Sequence, residues 1–225
     1  MAISVTNRHA EVKTGDANSF SFGAFAVTAG RWLVLDVGNG KASGAADTPS
    51  LSGSSLTYNQ EATLAVNTTK RLTRFYVWTA AVTSLTVAVD FAGVTQENCS
   101  LIANELDGVD ASDPFTQTVT GNNGGSAGTT YTATLAAYTG ADSRPLAAFG
   151  TWPNSSATAE AGYTALNNTT GGTEHTIGTM WHSTTQDTTP SWTGTSRFHV
   201  VIASEIKPAA VAGAVSSRLL LGVGA

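Results

Sequence analysis

The sequence predicts an all-β protein: an antiparallel, jelly-roll-like β-sandwich of about ten strands with an extended C-terminal arm. Three observations carry that expectation. Apolar and polar residues alternate with a period of two in several segments, helical periodicity is almost absent, and clusters of Gly, Asn and Ser punctuate the chain at short intervals.

Taken in order, a short strand is expected at Ile3 to Asn7, inside an N-terminal arm covering residues 1–18. The sandwich itself is assigned to residues 19–209. Its first strands are Asn18 to Val27 and the apolar run Arg31 to Val37, followed by a Gly- and Ser-rich loop from Gly38 to Ser54. A minor strand at Ser55 to Asn59 and a longer one at Lys70 to Trp78 come next. Ser84 to Phe91 alternates most clearly, with Leu85, Val87, Val89 and Phe91 on one face and Ser84, Thr86 and Asp90 on the other. Cys99 to Leu106 is the next strand expected. The run Gly121 to Gly128 is a loop, and a linker between two half-domains near residue 120 is the alternative. One sandwich is preferred, because each half would need its own closed core. Thr130 to Tyr138, Pro145 to Trp152, Ala159 to Leu166 and Glu174 to His182 follow. Arg197 to Ile206 closes the set, with Phe198, Val200, Ile202 and Ile206 inward and Arg197, His199 and Glu205 outward.

Composition limits the function. Only 12% of the residues are charged, about half of the ~25% usual in soluble domains, while the hydrophobic fraction is an ordinary 41%. Small neutral residues fill the gap: 35 Thr, 34 Ala, 23 Gly and 21 Ser. A net charge of −5 with 11 scattered cations gives no phosphate-binding patch, so nucleic acid is not an expected partner. No apolar run reaches the ~18 residues of a membrane helix, and no membrane association is expected. Cys99 is the single cysteine, which excludes an intrachain disulfide and reads as a buried small hydrophobe. The N-terminus lacks the apolar core of a signal peptide, pointing to a cytoplasmic start.

The apparent motifs have plainer readings. Gly124-Gly125-Ser126-Ala127-Gly128 matches the string of a nucleophile elbow, but no strand-turn-helix surrounds it. Gly38-Asn39-Gly40 lacks the following helix that a phosphate site requires. His175 and His182 are seven apart in one expected strand and point to opposite faces; with His9 and His199 they read as surface or edge residues. The stretch from Glu105 to Asp113 is the densest group of carboxylates. Calcium is one reading, yet the EF-hand order is absent and Pro114 follows, so a solvated turn is preferred. No carboxylate pair for glycoside hydrolysis can be assigned, and no metal or cofactor is expected. Of the five tryptophans, four lie in expected strands and read as core. Trp192, between Pro190 and Gly194, is the best candidate for an exposed sugar-stacking ring.

Residues 210–225 form an apolar C-terminal arm. Leu219, Leu220, Leu221 and Val223 share it with one charge, Arg218, and such a tail needs a groove on its own domain or a neighbour. These four leucine and valine side chains are the expected interface residues.

The strand Arg31-Trp-Leu-Val-Leu-Asp-Val37, the strand Leu72-Thr-Arg-Phe-Tyr-Val-Trp78, the segment Ile102-Ala-Asn-Glu-Leu-Asp-Gly-Val-Asp110 and the final Arg-Leu-Leu-Leu-Gly-Val-Gly resemble tailed-bacteriophage virion proteins with jelly-roll sandwiches. The resemblance implies a non-enzymatic structural protein. A capsid decoration or cement protein is the first expectation, and a tail or fibre component the second. It also implies location in the virion after assembly in the bacterial host cytoplasm, with a capsid or other virion protein as partner. Closed homo-oligomeric symmetry, such as a trimer, would satisfy edge strands. The rival readings are a glycan-binding sandwich of a phage tail fibre or bacterial surface protein, and a polysaccharide depolymerase.

Overall fold

The computed structural model describes residues 2–66, 68–123, 126–171 and 174–210. Among them lie fifteen strands: β1 (Ser4–Ala17), β2 (Ser19–Ala26), β3 (Trp32–Gly40), β4 (Ser50–Ser52), β5 (Asn59–Val66), β6 (Lys70–Trp78), β7 (Ser84–Asp90), β8 (Gln96–Asp107), β9 (Phe115–Asn122), β10 (Gly128–Thr132), β11 (Arg144–Trp152), β12 (Ala157–Ala159), β13 (Thr164–Gly171), β14 (His175–Trp181) and β15 (Ser191–Ile206). All pairings between them are antiparallel, and the all-β class stands.

The strands form four layers. A five-stranded sheet has the order β1-β8-β3-β6-β5, and a small sheet β2-β7-β4 covers one of its faces. Phe22, Leu33, Leu35, Phe75, Leu85, Val87 and Leu101 fill the space between them. The other large sheet runs β9-β15-β11-β14-β13, built on the second part of β15. The first part of β15 pairs instead with β10 and β12, making a small outer sheet over Tyr131, Leu135, Phe149, Met180 and Trp192. The two large sheets then face one another across Trp32, Val34, Leu72, Ile102, Leu146, Ile177, Ile202 and Ile206.

This arrangement corrects the single sandwich expected for residues 19–209. Among the described residues no strand before residue 108 shares a sheet with a strand after residue 114, so they make two sandwiches. The division falls in the acidic stretch, not at the Gly-rich loop near residue 120. Each half closes its own core, and the large faces left over bury each other. Residues 4–17, placed in an N-terminal arm, are an edge strand bonded to β8 from Ser4 to Ala17. Gly38 to Gly40 belong to β3 and are not a turn. Ser55 to Asn59 precedes β5, which begins only at Asn59.

Burial explains which strands alternate. In β7 Leu85, Val87 and Val89 point inward while Ser84, Thr86 and Asp90 are exposed, because the outer sheet has one wet face. In β3 all nine residues are buried, because the sheet is covered on both sides. The same holds for the second part of β15, so the expected outward positions of His199 and Glu205 are wrong. His199 is buried against Tyr131 and Glu205 is fully enclosed.

Close approach of the large sheets depends on Gly38. A Cβ built there would sit 2.5 Å from Cγ2 of Ile177 on the facing sheet and 3.4 Å from the His175 ring. Gly38→Ala is therefore expected to push the sheets apart and cost about 1–2 kcal/mol by overpacking. Urea denaturation would show it as a lower midpoint at unchanged slope, and an unchanged midpoint would refute it.

Candidate functional site

Chemistry concentrates along a polar seam buried between the two large sheets. The β3–β6 register places Asp36 opposite Arg74. Arg74 donates through Nε to Asp36 Oδ1 at 2.8 Å and through Nη2 to Oδ2 at 3.1 Å, a bidentate pair with both side chains fully enclosed. Its remaining nitrogen, Nη1, crosses the seam to the Ser204 hydroxyl at 2.8 Å and the Leu146 carbonyl at 3.1 Å. Nearby, Asn104 Nδ2 donates to Thr179 Oγ1 at 3.1 Å.

At one end of the seam Ser100 Oγ lies 2.5 Å from His175 Nε2. Burial pushes the His175 imidazole down to about 3, with the Lys70 ammonium adding to the effect, so the ring is neutral at ordinary pH. His175 Nδ1 has no hydrogen-bond partner among the described residues, and the Trp152 ring stacks beside it at 6.1 Å. Lys70 itself is held by Glu174 at 3.1 Å and Glu97 at 3.7 Å. A serine bonded to a histidine has the outline of a nucleophilic dyad. Both residues are fully enclosed between sheets, however, and the pair acts as a lock between them.

The second feature is a groove of about 380 Å³ where the first sandwich hands over to the second. Trp32 and Trp78 meet edge to face at 5.2 Å along its wall, with Leu106 and Val109 beside them. Trp78 is half-buried, and Arg31 pairs with Asp107 at the rim at 3.1 Å. The connection itself is stapled. Trp32 Nε1 donates to the Asp110 carbonyl at 2.8 Å, Lys207 binds Asp110 at 3.0 Å, and Val109 bridges to Pro208.

The carboxylates from Glu105 to Asp113 each have partners within the protein. Glu105 is taken by Arg8 and the Thr28 amide. Burial raises its pKa, and these hydrogen bonds outweigh that to leave it lowered. Asp107 pairs with Arg31, and Asp113 accepts from the Phe115 amide. Asp110 is held far below its usual range, first by the Ser112 hydroxyl and amide and then by Lys207. The carboxylates are dispersed over separate partners. Among the described residues no group of three His, Cys, Asp or Glu side chains could hold a metal.

Other candidates fall as follows. Trp192 is 1% exposed, correcting its assignment as a surface ring: it lies between Tyr131 and Ala159 in the small outer sheet and packs inward on Phe149 at 4.9 Å. His182, nearly buried, accepts the Thr184 and Thr185 amides at Nδ1. Ser126 is an exposed turn residue whose amide bonds the Asn123 carbonyl, and strand β10 follows it. Cys99 is buried, and desolvation drives its thiol pKa up. Leu219, Leu220, Leu221 and Val223 lie outside the described residues, as does most of the arm assigned to 210–225. The Arg74–Asp36 and Ser100–His175 pairs carry no local sequence signal, because each joins residues distant in the chain. Comparison with protein-family models, with curated proteins and with solved structures finds no match.

Proposed function

We propose that the protein is a non-enzymatic structural component of a bacteriophage virion, a capsid decoration or cement protein built from jelly-roll sandwiches. The observation that carries this reading is the pair of small outer sheets. One exposes Ser21, Ser52 and Thr86, the other Thr130, Thr158 and Thr193. Short neutral side chains on a flat sheet lose little when desolvated, in contrast to charged ones, and suit packing against protein. The strand orders β1-β8-β3-β6 beside β2-β7-β4 support a jelly-roll path.

Cement proteins are stoichiometric with the shell they cover. Quantitative mass spectrometry of purified particles should find the chain in a fixed ratio to the major shell protein, and electron microscopy should place it on the outer surface. Absence from washed particles would overturn the proposal. A second reading, glycan recognition by a tail fibre or bacterial surface protein, is favoured by Trp78, the half-buried ring in a groove rimmed by Arg31 and Asp107. Host polysaccharide binding lost in Trp78→Ala, with the fold intact, would select it.

A further inference from the structure

The two sandwiches share more than a general style. Ile102-Ala103-Asn104-Glu105-Leu106 in β8 is matched by Ile202-Ala203-Ser204-Glu205-Ile206 in β15. Both strands take the same place, between the first and third strands of their half. Glu105 accepts the amide of Thr28, in the connection from β2 to β3; Glu205 accepts the amide of Thr139, in the corresponding connection from β10 to β11. Each glutamate takes a second bond from the first strand of its half, Arg8 or Gln117.

Registers extend the match. Val34 faces Asn104 and Tyr76, while Leu146 faces Ser204 and Trp181. Counting along the strands makes Arg74 equivalent to Thr179. The edge strands agree too: β5 bulges between Gln60 and Ala62 opposite Phe75 and Arg74, and β13 bulges between Ala165 and Asn167 opposite Met180 and Thr179.

Contacts between the halves then come in exchanged couples. Arg74 of the first half reaches Ser204 of the second, and Thr179 of the second reaches Asn104 of the first. At the level of strands, β1 meets β13 as β9 meets β5, β8 meets β13 as β15 meets β5, and β3 meets β14 as β11 meets β6. Residue i touching j′ while j touches i′ is the signature of a two-fold, isologous interface.

We infer that the two halves are copies of one folding unit, and that each large sheet is a self-complementary docking surface whose fitting partner is a second copy of that unit. In this chain the second copy is supplied covalently. The inference goes beyond the virion reading and does not depend on it.

A two-fold relation makes the order of the copies immaterial. The path from Leu106 to Phe115 through the natural connection has an image running from Ile206 to Val5. The chain is poised for it: Ala209 donates its amide to the Gly108 carbonyl, and the Ala2 carbonyl packs on the same glycine. Joining Ala210 to Ala2 through one glycine makes that second path as long as the first.

The test is a circular permutant that starts at Ser112, crosses this one-glycine junction, ends at Ala111 and keeps residues 211–225 as its new tail. It should melt cooperatively within about 4 °C of the natural chain. An unfolded product, or melting more than about 10 °C lower, overturns the inference. The unpermuted chain provides an independent check. Cut in its native state at a protease site inserted between Ala111 and Ser112, it should persist as a 1:1 complex of two fragments at micromolar concentration. Fragments that separate on a sizing column overturn the docking surface even if the permutant folds.

Discussion

Replacing Arg74 with methionine is expected to destabilise the protein by about 3–5 kcal/mol, the usual cost of removing one partner from a buried ion pair. The guanidinium satisfies both Asp36 oxygens and also binds the Ser204 hydroxyl and Leu146 carbonyl across the seam. Methionine fills much of the volume and none of those bonds. The Asp36 carboxylate would be left enclosed with no counter-charge. For a chain of this size the loss corresponds to a fall in Tm of roughly 6–20 °C. The pair is not indispensable to the architecture, because the equivalent positions in the second sandwich carry Ala148 and Thr179, which are neutral. Asp36→Leu combined with Arg74→Met should therefore recover most of the lost stability. Thermal unfolding of the single and double variants decides the matter. A single variant that melts within 3 °C of the parent, or a double variant no better than the single, would contradict this account.

The same seam shows what could be read from the sequence. Alternation located β7 and oriented it correctly, because Ser84, Thr86 and Asp90 are wet and Leu85, Val87 and Val89 are not. Runs of apolar residues likewise located β3, β6, β8 and β11. Orientation failed where a sheet is covered on both sides. A polar residue such as His199 or Glu205 then reads as solvent-facing, although it is bonded inside the protein. Strand β9 went unseen because Pro114 and the acidic run before it suggest only a turn. The repeat was equally hidden. Its clearest trace, Ile-Ala-Asn-Glu-Leu against Ile-Ala-Ser-Glu-Ile, is five residues long and separated by a whole sandwich, beyond the short periods that mark solenoids. The buried pairs depend on register between strands, and no local pattern encodes register across a hundred residues.

Acid should weaken this protein from about pH 6.5 downward, and His175 is the reason. Its folded-state pKa, near 3, lies below the ordinary 6.5 because the ring is enclosed and close to Lys70. Below pH 6.5 the unfolded chain takes up a proton that the folded protein refuses, so stability falls as pH falls. The loss grows about tenfold in the folding equilibrium per pH unit and levels off only near pH 3, reaching about 3 kcal/mol at pH 4. His199 is shifted in the same direction by burial, partly opposed by its bond to the Arg197 carbonyl, and adds to the slope. Glu105, whose pKa is lowered, contributes stability that is lost at lower pH still, as the unfolded chain takes up a proton before the folded protein does. The two effects separate by substitution. His175→Gln keeps a polar partner for Ser100 but cannot ionise, so the difference in stability between it and the parent should shrink or reverse in the variant's favour as pH drops from 7 to 5. Denaturant titrations at pH 7, 6 and 5 measure the slope directly. Parallel pH profiles for the two proteins would show that His175 is not the group refusing the proton.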